Sequence, residues 1–101
     1  MAAAVVWSQE ALDDLDAIAD YISRDSLYHA QRVVEAALEL GDSLVDQPLA
    51  GRVVPELNNP NVRERFLYSY RLIYEISDER MDILAVIHGR RLLESIEDRF
   101  V

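Results

Sequence analysis

The apolar residues of this chain change period partway along it. Up to about residue 45 they recur every three or four positions, and from residue 62 onward they alternate or run together. The first spacing is that of half-buried helices and the second that of strands. Helices first and strands afterwards point to an α+β fold rather than to alternating βαβ units.

The elements can be placed from this pattern. "AAAVVW" is a short apolar run and reads as a first strand. Ser8 then offers a helix N-cap, with acidic Glu10 in the first turn. Ala11, Leu12, Leu15, Ile18, Ala19 and Ile22 form an apolar stripe, while Asp13, Asp14, Asp16 and Asp20 read as a solvated acidic face. "RDS" breaks this helix near Arg24, and Ser26 caps a second one. Its stripe is Leu27, Ala30, Val34, Ala37, Leu38, Gly41, Leu44 and Val45. Gly41 costs about 1 kcal/mol against alanine inside a helix, so close packing against the first helix is expected there. "QPLAGRVVPELNNPN" carries all three prolines and reads as a loop. A structureless segment of that length is either functional or loosely ordered.

Three strands follow. "VRERFL" puts Val62, Glu64 and Phe66 on one face and Arg63, Arg65 and Leu67 on the other. "YRLIYEI" puts Tyr70, Leu72, Tyr74 and Ile76 together. "MDILAVIH" is apolar enough for a central strand, with Asp82, Leu84, Val86 and His88 on one side. "RRLLESIEDRF", with Leu92, Leu93, Ile96 and Phe100 at helical spacing, reads as a short C-terminal helix that begins at Arg90 and Arg91. The expected order is β-α-α-β-β-β-α: an N-terminal helical hairpin packed on a small, mostly antiparallel sheet. At 101 residues, one domain spanning 1–101 is expected.

Charge and composition narrow the function. The net charge is −9, with ten acidic residues against Arg24 and Arg32 between Gln9 and Asp46. Four arginines (Arg52, Arg63, Arg65, Arg71) face only Glu56 and Glu64 between Arg52 and Tyr74. A strongly acidic chain is a poor general binder of nucleic acid, because counterion release needs clustered positive charge. No direct sequence-specific nucleic-acid binding is expected. All ten basic residues are arginine, whose planar fork suits bidentate contact with carboxylate or phosphate. The chain has no cysteine, and its two histidines are far apart, so neither disulfides nor a metal site is expected, and no cofactor is implied. No apolar run is long enough to span a membrane, and a cytoplasmic protein is expected.

Few residues suggest chemistry. His88 at the end of the last strand suits a general acid/base, or equally a strand-end hydrogen bond. Arg63, Arg65 and Arg71, on adjacent strands, are expected either to converge on one anion-binding patch or to pair with Glu64 and Glu75. Glu56, in the loop, is a candidate base beside them. Arg90 and Arg91, at what reads as a helix N-terminus, are slightly unfavourable there and hint at contact elsewhere.

"WSQEALDDLDAIADYI", "QPLAGRVVPEL", "VRERFLYSYRLIYEI" and "ILAVIHGRR", in this order, resemble the RelE/ParE toxin superfamily of type II toxin–antitoxin systems over about Val5 to Leu93. The resemblance implies a helical hairpin on an antiparallel sheet. It implies a toxin neutralised by a cognate antitoxin, ParD-like or other, whose flexible segment wraps it, with a homodimer or a hetero-oligomer as the assembly. RelE-like members cleave mRNA on the ribosome; ParE-like members poison DNA gyrase and are not nucleases. Glu56 and Arg71 fit either branch. "VIHGRR", the continuing C-terminal segment, the lack of lysine and the acidic charge are more ParE-like. On that reading no residue is catalytic, and His88, Arg90 and Arg91 belong to a target or antitoxin surface. Arg52, Arg63, Arg65 and Arg71 are then antitoxin anchors. On the nuclease alternative, Glu56, Arg65, Arg71 and His88 carry the chemistry.

Overall fold

In a computed structural model, which describes residues 4–91 and 96–100, the expected elements form. They are β1 (Ala4–Trp7), α1 (Gln9–Ser23), α2 (Leu27–Ser43), β2 (Arg52–Val53), β3 (Val62–Leu67), β4 (Tyr70–Ile76) and β5 (Arg80–His88). Both helices start on the serines expected to cap them. Ser8 Oγ accepts from the Ala11 N–H at 3.0 Å, and Ser26 Oγ from the His29 N–H at 3.1 Å. Each bond satisfies one of the donors that a first helical turn leaves open.

The strands form one sheet in the order β1-β5-β4-β3-β2. Only β1 and β5 run parallel; the other neighbours are antiparallel. The helical hairpin covers one face. There Ala11, Leu44, Leu72, Tyr74, Met81, Ile83 and Val86 make a core into which Trp7, Ile18 and Leu40 also pack. Burying a side chain such as Leu44 or Ile83 contributes about 2 kcal/mol. The opposite face carries a second core of Val54, Val62, Ile73, Ala85, Ile87 and Ile96, with Leu57 and Phe100 against it. The proline-containing loop and the C-terminal segment thus cover the face that the helices leave bare.

Four local expectations are corrected. The proline-containing loop holds a short strand, β2, which extends the sheet beyond β3. Gly41 is tight because of Trp7 and Ile83 rather than the first helix: an added Cβ would lie 3.0 Å from each side chain. Asp14 is not solvated. It accepts two hydrogen bonds from Arg99, at 2.7 and 3.2 Å, and one from the Val86 N–H at 3.0 Å. Finally, Arg90 and Arg91 lie in a turn after β5 instead of opening a helix, and Glu97–Phe100 is a 3-10 turn. Leu92 and Leu93, expected on that helix, lie outside the described residues.

The parity of β5 also differs. Ile73 pairs with Ala85 but the next residue, Tyr74, pairs with Ile83, so Leu84 is an extra residue on β5. Such a bulge exchanges the faces of everything beyond it. Met81 and Ile83 therefore share the helix-covered face with Val86, and Asp82 does not share a face with His88.

Candidate functional site

Register decides where the middle-segment arginines go. In the β3–β4 pairing, Glu64 lies opposite Ile73 and Phe66 opposite Arg71, whereas Arg63 lies opposite Tyr74 and Arg65 opposite Leu72. Directly opposed residues point to the same face. Arg71 is thus on the face away from the helices, and Arg63 and Arg65 are on the helix-covered face. The expected convergence of the three arginines does not occur, because one residue of sequence parity separates them.

On the face away from the helices, charges meet in one network, in which the buried Arg71 Nε has no hydrogen-bond partner among the described residues. Arg71 Nη1 donates to Glu64 Oε1 at 2.9 Å and to Glu56 Oε2 at 3.2 Å. Arg52 Nε donates to the other Glu64 oxygen at 2.6 Å, and the Arg52 guanidinium lies over the Phe66 ring. Arg71 Nη2 donates to the Arg91 carbonyl at 3.1 Å, which ties the turn after β5 to β4. The Glu64 side chain is 0 % exposed and that of Arg71 is 5 %. Two cations and two anions make the cluster neutral. Each charge of the buried Arg71–Glu64 pair thus has an opposite charge within hydrogen-bond distance.

On the other face, Arg63 Nη1 donates to the Gly51 carbonyl at 2.9 Å. Arg65 has a buried Nη1 with no hydrogen-bond partner among the described residues. Beside them the Tyr74 hydroxyl donates to the Pro48 carbonyl at 2.8 Å and accepts from the Gly51 N–H at 3.0 Å. This hydroxyl holds the loop ahead of β2. Burial pushes the Tyr74 phenol above its usual 10.0, against smaller opposing effects of the Gly51 hydrogen bond and the Arg63 and Arg65 charges. Below pH 10.0 this contribution to stability is fully present. Above it the unfolded chain ionises its tyrosine first, so stability falls as the pH rises toward the higher folded value. Urea denaturation across this range should show that decline, and Tyr74→Phe should flatten it while lowering stability at neutral pH by roughly 1–3 kcal/mol. An unchanged alkaline slope in the variant would contradict this.

His88 ends β5 opposite Tyr70, on the helix-bearing face, and is exposed. Its ring stands edge-on to the Tyr70 ring with centroids 5.8 Å apart, and its Nδ1 accepts from the Arg90 N–H at 3.2 Å. The four nuclease candidates thus divide between the two faces: Glu56 and Arg71 on one, Arg65 and His88 on the other. Glu75 pairs with no arginine among the described residues; it lies opposite Val62. No group of three or more His, Asp or Glu side chains among the described residues is arranged to hold a metal ion, and no described helix is long and apolar enough to cross a membrane.

The alternative reading, that the middle-segment arginines pair with Glu64, holds for Arg71. Sequence reasoning missed that Glu64 also takes Arg52 and so is the hub of the network, and it missed Tyr74 as the loop anchor and Asp14 as a part-buried acceptor. The one readable signal was Glu64 itself, a carboxylate between Val62 and Phe66 on one strand face.

The model of the family described as "ParE toxin of type II toxin-antitoxin system, parDE" matches residues 5–93. Among curated proteins, Toxin RelE2 of Caulobacter vibrioides is 36% identical over 91 residues, covering 89% of this chain and 99% of that protein. Among solved structures, one titled as the chromosomal ParDE TA system from P. aeruginosa matches with a TM-score of 0.70 at 24% identity, over 87% of this chain and 96% of that one. The YoeB dimer from Staphylococcus aureus matches with a TM-score of 0.60 at 16% identity, over 87% and 98%. The two structures share the fold.

Proposed function

We propose, from the premise that this chain belongs to the ParE toxin family of type II toxin–antitoxin systems, that it arrests growth by binding DNA gyrase and is neutralised by a cognate antitoxin. The observation that carries the gyrase reading is the division of the nuclease candidates. In-line attack on a phosphodiester needs a base and a cation within reach of one phosphate. Arg71 instead pairs with both Glu56 and Glu64, and His88 lies on the other face. The acidic net charge of −9 also disfavours docking into ribosomal RNA. His88, Arg90 and Arg91 then belong to the target surface. For the antitoxin, Arg65 and the exposed part of Arg52, whose Nε already holds Glu64, are the anchors, since Arg71 lies inside the protein and Arg63 donates to the Gly51 carbonyl.

The second reading, cleavage of mRNA on the ribosome, draws on the RelE name of the curated relative. Induced expression separates the two. Gyrase poisoning should bring DNA damage signalling and filamentous cells with mRNA intact. Prompt fragmentation of translated mRNA without DNA damage would select the nuclease reading.

A further inference from the structure

A tyrosine-lined groove runs along the end of the molecule where the α1–α2 turn meets the β3–β4 turn. Two adjoining hollows of about 410 and 490 Å³ form it, and Tyr70 lines both. Tyr21 and His88 line the first; Tyr28, Arg32 and Tyr68 line the second. Tyr21, Tyr28 and Tyr68 are 68 %, 65 % and 65 % exposed, so the core does not account for their presence.

Tyr68 is the informative one. It follows Leu67 in a two-residue turn closed by the Leu67–Tyr70 pair, and its φ is +53°. That left-handed conformation suits asparagine or glycine and is strained for an aromatic residue. A strained residue whose ring contributes little burial points to a use outside the fold.

We infer that this groove is the surface through which the chain grips a protein target, by tyrosines that clasp an apolar side chain and arginines that meet carboxylates beside it. The inference rests on the toxin reading above. Tyrosine and arginine dominate the binding energy of protein interfaces. Arg32 makes no ion pair among the described residues, and Arg91 lines the groove at its other end. The one acidic lining residue, Asp14, is already held by Arg99. Glu35 and Glu39 line a neighbouring hollow together with Arg32 and Tyr68, and with the net charge of −9 they oppose the one-charge-per-nucleotide backbone of a nucleic acid more than a protein segment with isolated carboxylates. A protein therefore fits better than a nucleic acid. The groove is also continuous with His88 and Arg91.

The test uses the full chain and the substitutions Tyr68→Asn, Tyr28→Ala and Tyr21→Ala. Asparagine relieves the strained turn, so Tyr68→Asn should melt at a higher temperature than the wild type. It should nonetheless need at least roughly tenfold more expression to arrest growth, as loss of a strong interface anchor does. Tyr28→Ala and Tyr21→Ala should weaken arrest with little change in melting. All three should still co-purify with the antitoxin. Undiminished arrest in all three, or loss of antitoxin binding alongside arrest, would overturn the proposal. So would wild-type binding to single-stranded poly(U) RNA that the tyrosine variants lose, which would assign the groove to RNA. A wild type that arrests growth without binding purified gyrase removes the gyrase reading alone, and the groove is then judged on arrest. A wild type that arrests nothing removes both.

Discussion

Replacing Arg71 with methionine is expected to lower the unfolding free energy by about 3–5 kcal/mol, the usual cost of stripping one partner from a buried ion pair. The guanidinium neutralises Glu64, whose side chain is fully buried, and also holds Glu56 and the Arg91 carbonyl. Without it, Glu64 keeps only Arg52, which is mostly solvent-exposed. The double variant Arg71→Met with Glu64→Leu should recover most of the loss, because no unpaired charge then remains buried. A double-mutant cycle read by urea denaturation gives the coupling directly. A single Arg71→Met variant within about 1 kcal/mol of the wild type, against the 3–5 kcal/mol expected for a buried pair, would mean that water reaches Glu64 and that the network is not sealed.

The second large effect is at Gly51. A Cβ there would lie 2.7 Å from the Glu64 carbonyl oxygen and 2.7 Å from the Tyr74 hydroxyl. Alanine normally gains about 0.4–1 kcal/mol over glycine by restricting the unfolded chain. Here the clash is with backbone on one side and with a hydrogen-bonded phenol on the other, neither of which yields easily. Overpacking of that kind costs about 1–3 kcal/mol, so a net loss near 2 kcal/mol is expected for Gly51→Ala. The loop should detach with it, since Tyr74 holds that loop through Gly51 and Pro48. Faster proteolysis between Gln47 and Arg52 is the accompanying sign. A variant as stable as the wild type, with the loop equally protected, would contradict the geometry.

Particular residues show how far the sequence could be read. Ser8, Ser26 and the helical stripes placed both helices, because caps and periodicity are local signals. The alternation of "VRERFL" and "YRLIYEI" placed β3 and β4 for the same reason. What failed was whatever depended on pairing. The three arginines were read as neighbours on adjacent strands, yet register sent Arg71 to the opposite face. The Leu84 bulge changed the parity of β5, and nothing in "MDILAVIH" marks a bulge. Asp14 looked like one more solvated aspartate until Arg99, 85 residues along, met it. β2 was hidden because two residues are too few for a pattern, and its pairing with β3 is a tertiary event.

The resemblance in "VIHGRR" and "QPLAGRVVPEL" led to the family, and the family match over residues 5–93 carries it. It does not by itself place a working site, because a charged residue in that pattern reads the same whether it is a ligand for a partner or a strut. Glu64 and Arg71 pair with each other inside this fold.

The most direct measurement of the central claim is a cleavage assay with purified DNA gyrase, supercoiled plasmid, ATP and the purified, folded chain. The account predicts that cleaved DNA accumulates with increasing protein and that prior addition of the antitoxin prevents it. Undisturbed supercoiling with no cleaved DNA, at protein concentrations that arrest growth in cells, would contradict the gyrase reading and turn attention to translating ribosomes.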